Sequence, residues 1–332
     1  MTAKANYQST KCEESVSIVL CTYNGEKYVA QQIDTLLRQT YPISEIIIQD
    51  DHSTDHTMSI LQDIAEKHPN VSIYSNESGR GVNSNFFSAM RRAKSQYIAI
   101  CDQDDLWEPS KIERQMALIG DKMLCACRSR PFSDDGAAAG FDPRTPNCHL
   151  IRLLYSSIPG HTMLFHRHLL DLIPTPDDSL MTCYDVYLSL TAAAYGSLVL
   201  LDEVLVMQRR HPAAFTYAGS DPRRRPSASN GLYILAWSVC NYHRVRPYMI
   251  PYFERRRRLL GGIAAKNQLF DDAQLIISLQ CKRGVLNFLR LSRLHIKYRH
   301  HLFYAEGSGW VNFFRALLYG VMQVYNYRYL CR

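Results

Sequence analysis

The chain has 332 residues, 46% of them hydrophobic and 21% charged, with a net charge of +7. That balance excludes a disordered polyelectrolyte and supplies the core of one large or two modest domains. The ten cysteines, with only Cys125-Ala-Cys127 closely spaced, exclude a small disulfide scaffold and read as reduced, buried thiols.

In chain order, "MTAKANYQSTKCEES" lacks the apolar core of a signal peptide, and no run of about 18 apolar residues follows, so a cytoplasmic chain is expected. "SVSIVLC" (15–21) predicts a strand, and "TYNGEKYVAQQIDTLLRQT" a glycine-containing turn and a helix carrying Tyr28, Ile33, Leu36 and Leu37 on one face. "EIIIQ" (45–49) predicts a second strand, followed by a helix with Ser53, Thr54 or Asp55 as N-cap. "VSIYS" (71–75), a helix over 83–95 and "YIAIC" (97–101) continue the alternation, and another helix begins near Pro109. Strand and helix alternating over 15–118 predict a mostly parallel α/β sheet flanked by helices. Residues 128–149, rich in Pro, Gly and Asp, predict a loop. A helix over 184–196 and an interrupted strand over 197–211 come next. The tract "GSDPRRRPSASNG" (219–231) reads as a linker, which divides the chain into 1–218 and a largely helical 219–332.

Polar clusters fall at the carboxyl ends of the predicted strands, where open parallel sheets bind ligands: Thr22, Tyr23 and Asn24, then Asp50 and Asp51, then Asp102, Asp104 and Asp105. Two carboxylates at alternate positions past a strand suit a hard divalent cation such as Mn²⁺ or Mg²⁺. A solvated acidic turn capping the next helix explains the same residues, and a helix cap explains Asp50 or Asp51. No phosphate-binding glycine motif of either common type occurs. A metal that holds a nucleotide-sugar diphosphate fits the combination.

Taken in order, "VSIVLCTYNGEKYVAQQIDTLLRQTY", "IIIQDDHSTDHT", "NFFSAMRRAKSQYIAICDQDDLWEPSKI", "YDVYLSL" and "QRRH" resemble glycosyltransferase family 2, which has the GT-A fold. Within it they look most like the bacterial rhamnosyltransferase-like branch. The resemblance covers roughly 15–215 and implies a sugar transferase that inverts the anomeric centre and uses a UDP- or dTDP-sugar. It implies Thr22 and Tyr23 against the base with Asn24 beside them, Asp51 on the ring N–H, and Asp102 on the ribose or sugar. Asp104 would hold the metal, and Asp105 would be structural or a sugar contact. It implies Asp185 as the base that deprotonates the acceptor, His211 near metal and diphosphate, and Gly160 and His161 beside the donor sugar. Arg80 would meet the diphosphate or lie exposed in its turn. Two departures stand out: Tyr184 where relatives carry His or Glu, and Ala214 where they carry Asn.

Charge divides unevenly. Residues 1–229 hold 22 Lys and Arg against 27 Asp and Glu; residues 230–332 hold 16 against 4. The basic, aromatic second part suits an anionic membrane surface near a saccharide or lipid-linked acceptor, or a helical cap with a solvated arginine face. No nucleic-acid-binding motif accompanies it. A binding module on the same fold that lacks catalysis, favoured by loss of Asp104 or Asp185, is the other function class; a phosphohydrolase would need a nucleophilic Asp where Thr22 stands.

Overall fold

The computed structural model describes residues 14–136, 141–174, 182–212, 231–303 and 309–331. The strands are β1 (Val16–Thr22), β2 (Glu45–Asp50), β3 (Val71–Ser75), β4 (Tyr97–Asp102), β5 (Leu106–Trp107), β6 (Leu124–Phe132), β7 (Met163–His166) and β8 (Leu198–Arg209). They form one sheet in the order β3-β2-β1-β4-β7-β6-β8-β5. The four strands β3, β2, β1 and β4 run parallel. Their crossovers are the helices α1 (Val29–Leu37), α2 (Thr57–Ala65) and α3 (Val82–Arg92). β7 is antiparallel to both β4 and β6, while β6 and β8 are parallel.

Both faces of β1 and β2 are covered, which is why they read as unbroken apolar runs. Val19 and Ile47 point into one core; Ile18, Leu20, Ile46 and Ile48 point into the other. The register sets Thr22 beside Asp50 and Cys21 beside Asp102, so the polar clusters share one edge of the sheet.

Three local expectations change. Helix α2 begins at Thr57 with His56 as N-cap and no side-chain cap, because Ser53 is bonded to Asp50 and Asp55 accepts from the Thr57 N–H. The loop over 128–149 starts later, since β6 runs to Phe132. Beyond Ala126 β6 has only β8 as a neighbour, so Pro131 can sit in the strand without breaking a second ladder. Helix α4 (Lys111–Ile119) starts from Ser110, and the acidic cluster does not cap it.

Short helices α5 (Leu150–Leu153) and α6 (Leu169–Leu172) precede α7 (Tyr184–Ala194). The helical region holds α8 (Gly231–Gly262), α9 (Gln268–Cys281), α10 (Val285–Lys297), α11 (Arg299–Leu302), α12 (Gly309–Leu317) and α13 (Tyr319–Met322). Met249, Phe253 and Leu260 of α8 and Ile276 and Ile277 of α9 are buried in the same core as Met163 and Phe165 of β7 and Tyr187 of α7. The 219–231 tract, except Gly231, and Ala214 lie outside the described residues.

Candidate active site

The first two loops are laced together by side chains that the sequence presents as ligand contacts. Thr22 donates its hydroxyl to Asp50 (2.8 Å), and the other Asp50 oxygen accepts from the Ser53 N–H (2.7 Å). Asn24, at φ 47°, accepts from the Thr54 N–H (2.8 Å), while its own N–H donates to Ser53 Oγ (2.8 Å). Asn24 and Thr22 therefore tie the loop after β1 to the loop after β2. The Tyr23 ring is 57% exposed and free to face a planar group.

Asp51 accepts from Asn76 Nδ2 (2.7 Å) and from the Gly81 N–H (2.8 Å). Gly81 is the N-cap of α3, so Asp51 braces the start of that helix and not of α2. Each carboxylate oxygen keeps a further acceptor direction for a ligand. Arg80, next door, is exposed, and among the described residues no hydrogen bond or ion pair joins it to the acidic cluster.

Past β4 the three aspartates diverge. Asp102, with its side chain 36% exposed, faces the cleft, and its Oδ2 lies 3.2 Å from His161 Nδ1. Asp104 lies 2.8 Å from His211 Nε2. Asp105 is 2% exposed, accepts from the Arg209 N–H (3.0 Å) and lies 3.5 Å from His161 Nδ1. Burial raises the Asp105 carboxyl, opposed by His161 and assisted by Asp102 and Asp104. Burial opposes charge on His161 as well, but Asp105 and Asp102 outweigh it and raise the imidazole. Asp104 is raised by burial and by Asp102, with His211 working the other way.

Two sets of atoms could thus hold a divalent cation. Asp102, Asp105 and His161 bring their ligand atoms within 4.8 Å of one another. Asp105 Oδ2 and His161 Nε2 are buried without hydrogen-bond partners. Asp104 and His211 form the second set, nearer the surface. Oxygen plus imidazole donors with an excess of negative charge fit Mn²⁺ or Mg²⁺.

Gly160 and His161 lie in a tight turn entering β7, and both are buried. A Cβ on Gly160 would sit 2.2 Å from the Tyr184 hydroxyl. The ring of Tyr184 stacks on Phe86 at 4.1 Å between centroids. This close approach sets the turn holding His161 against the start of α7. There Asp185 accepts from the Val186 N–H (2.8 Å). Burial raises its pKa to about 6; the Val186 N–H, Arg256 and His161 restrain the rise and Asp102 adds to it.

Several residues that organise the site were not singled out by the sequence. Gln103 clamps the Tyr23 backbone, accepting from its N–H (2.9 Å) and donating to its carbonyl (3.0 Å). Asn83 accepts from the Tyr184 N–H (2.9 Å) and donates to the Thr182 carbonyl (2.7 Å), tying α3 to the head of α7. Arg209 bonds the Asp104 carbonyl (3.0 Å), Gln31 and Asp134, and lies over the Tyr28 ring. From α8, Arg256 buries its Nε without a hydrogen bond. The "QRRH" spacing pointed to His211 but not to the buried arginine two residues before it.

The family model for glycosyl transferase family 2 matches residues 17–170. An uncharacterized glycosyltransferase of Rickettsia typhi is 30% identical over 287 residues, covering 82% of this chain and 87% of that one. This chain belongs to glycosyl transferase family 2. An uncharacterized protein of Mycobacterium tuberculosis is 28% identical over 223 residues, and the aligned part spans 63% of each chain. Among solved structures, residues 1–349 of S. aureus TarS in complex with UDP-GlcNAc superimpose with a TM-score of 0.56 at 16% identity. That superposition covers 96% of this chain and 90% of the TarS chain, and shows a shared fold.

Proposed function

We propose that this family 2 chain is an inverting, metal-dependent glycosyltransferase. It would move a sugar from a UDP- or dTDP-donor to a saccharide or lipid-linked saccharide in bacterial surface polysaccharide synthesis. Within the family we assign it to the rhamnosyltransferase-like branch that its ordered motifs resemble. The observation that carries the reading is the junction at Gly160 and Tyr184. It joins a carboxylate raised to about 6, Asp185, to the acidic strand-end cluster of Asp102, Asp104 and Asp105.

A carboxylate with that pKa is ionised at neutral pH yet basic enough to take a proton from an acceptor hydroxyl. The acceptor oxygen then attacks the anomeric carbon from the face opposite the diphosphate, and the bond from that carbon to the diphosphate oxygen breaks. The proton ends on Asp185 and the electron pair leaves with the nucleotide. Tyr23 offers its exposed ring to the base, and Asp51 keeps acceptor capacity for the ring N–H. Asp102 would bind ribose or sugar, held by His161, with Asp105 fixing that histidine from below. Asp104 and His211 would hold the cation, which supplies Lewis-acid neutralisation of the leaving diphosphate. Residues 1–218 would carry this chemistry. Residues 219–332 would hold the chain at an anionic membrane surface, a reading supported by their charge.

Calorimetric titration of UDP and dTDP in Mn²⁺ and in EDTA tests the metal reading. Affinity should fall by at least about tenfold in EDTA, and Asp104→Ala should erase the difference. Equal affinity in both conditions would refute it.

A further inference from the structure

Exposed apolar side chains of the helical region stand on α8, on α9 and, six of them, on α10 and α12. On α10, Val285, Leu286 and Leu289 face solvent, Leu286 with 75% of its surface; on α12, Trp310, Val311 and Phe314 do so, Trp310 with 76%. The two helices pack against each other. Ser292 of α10 donates to the Leu317 carbonyl at the end of α12 (2.6 Å). Both helices bury their other faces: Leu291, Ser292 and His295 of α10, Asn312 and Ala316 of α12.

Around this ridge stand Lys282, Arg283, Arg290 and Arg293, all exposed and without an ion-pair partner among the described residues. Neither helix contains an acidic residue. Large apolar side chains exposed together on adjacent helices mark a surface that something covers.

We propose that the exposed faces of α10 and α12 form a single wedge that lies on an anionic lipid leaflet. Its apolar side chains would enter the acyl boundary and its four cations would meet the headgroups. Three features select this occupant. A second copy docked on the same face would set four cations against four, which charge complementarity disfavours. Trp310 at the tip suits the headgroup level, where its ring is apolar and its N–H stays wet. No described helix is long and apolar enough to cross a membrane, so the wedge would lie in the interface and not span it. The proposal rests on the reading of 219–332 as membrane-facing and narrows it to one surface.

The test is flotation of the full chain with phosphatidylcholine vesicles carrying about 40% phosphatidylglycerol, and with phosphatidylcholine alone, at low and high salt. Wild type should float with the anionic vesicles and be released by salt. Leu286→Ser with Trp310→Ser should cut the bound fraction at least about tenfold, and Arg290→Gln with Arg293→Gln should remove the preference for anionic lipid. Thermal midpoint and UDP affinity of both variants should match wild type, which separates the wedge from folding and from donor binding. Anionic vesicle binding unchanged in both variants would overturn the wedge while leaving attachment elsewhere in 219–332 intact. No vesicle binding by wild type would overturn both. A lipid-free dimer dispersed by the serine pair would assign the face to a second copy and also overturn the proposal.

Discussion

Asp185 sets chemistry against stability. Its folded pKa of about 6 lies above the ordinary aspartate value of 3.8, so between those pH values the folded chain keeps a proton that the unfolded chain has released. The contribution to stability is therefore present below about pH 4 and is lost as pH rises through about 6. Asp185→Asn removes the half-buried charge. It should raise stability at pH 8 by about 1 to 3 kcal/mol after allowing for partial solvent access, seen as a higher thermal midpoint. The same change should lower kcat at least about a hundredfold with donor Kd unchanged, and remove the acid limb expected of wild type near pH 6. A variant that is both stabilised and fully active would move the base elsewhere. Gly160 is constrained differently. Gly160→Ala should cost about 1 to 3 kcal/mol, because the new methyl meets a Tyr184 ring that its stack on Phe86 holds in place. Denaturant midpoints should show a smaller penalty in a Tyr184→Leu background. At this scale the acidic residues were legible, since two strand ends, those of β2 and β4, carry them. Lys111 and Arg209 were not. A lysine opening a helix reads as exposed, yet Lys111 is fully buried over the Trp107 ring, and nothing local in "QRRH" tells which arginine turns inward.

Between elements, the contact that would bear most on the proposed chemistry is the one Asn83 makes from α3 to the head of α7. Its two hydrogen bonds span about a hundred residues of chain, a separation across which no periodic pattern reports contact. Asn83→Ala should cost about 1 to 2 kcal/mol. If the bond positions Asp185, kcat should also fall several-fold at saturating substrates with donor KM unchanged; a drop in thermal midpoint alone would make Asn83 purely structural. The parallel half of the sheet was legible because each strand carries a short β-branched or apolar run and each crossover helix has one apolar face. What escaped was set by partners distant in sequence. The two-residue β5 exists only because β8 pairs with it, and Pro131 joins β6 only because one side of that strand is open. The start of α2 moved because Asp50 captured Ser53, a choice the helix-capping pattern alone does not contain.

At the scale of the whole molecule, the compositional boundary near residue 219 does not separate cores. Phe253 of α8 lies edge-on to Tyr155 at 5.6 Å between ring centroids, and Gly262 at the end of that helix packs on Pro174. Arg152 reaches from α5 to the Leu302 carbonyl (3.1 Å) and to Tyr319 (2.9 Å). Met249, Phe253, Leu260, Ile276 and Ile277 share one buried cluster with Met163, Phe165 and Tyr187. Burying each large side chain of this kind contributes about 1.5 to 3 kcal/mol, against a total stability of about 5 to 15 kcal/mol for a typical chain. Removing residues 231–332 would strip five of these from the core at once, so 1–230 alone should not fold, and it should aggregate on expression. Calorimetry of the full chain should then show one endotherm, and saturating UDP with Mn²⁺ should move it as a unit to higher temperature. Two separate transitions, with only one of them moved by the nucleotide, would show that the helical region folds by itself, and would make 1–230 a soluble donor-binding unit after all.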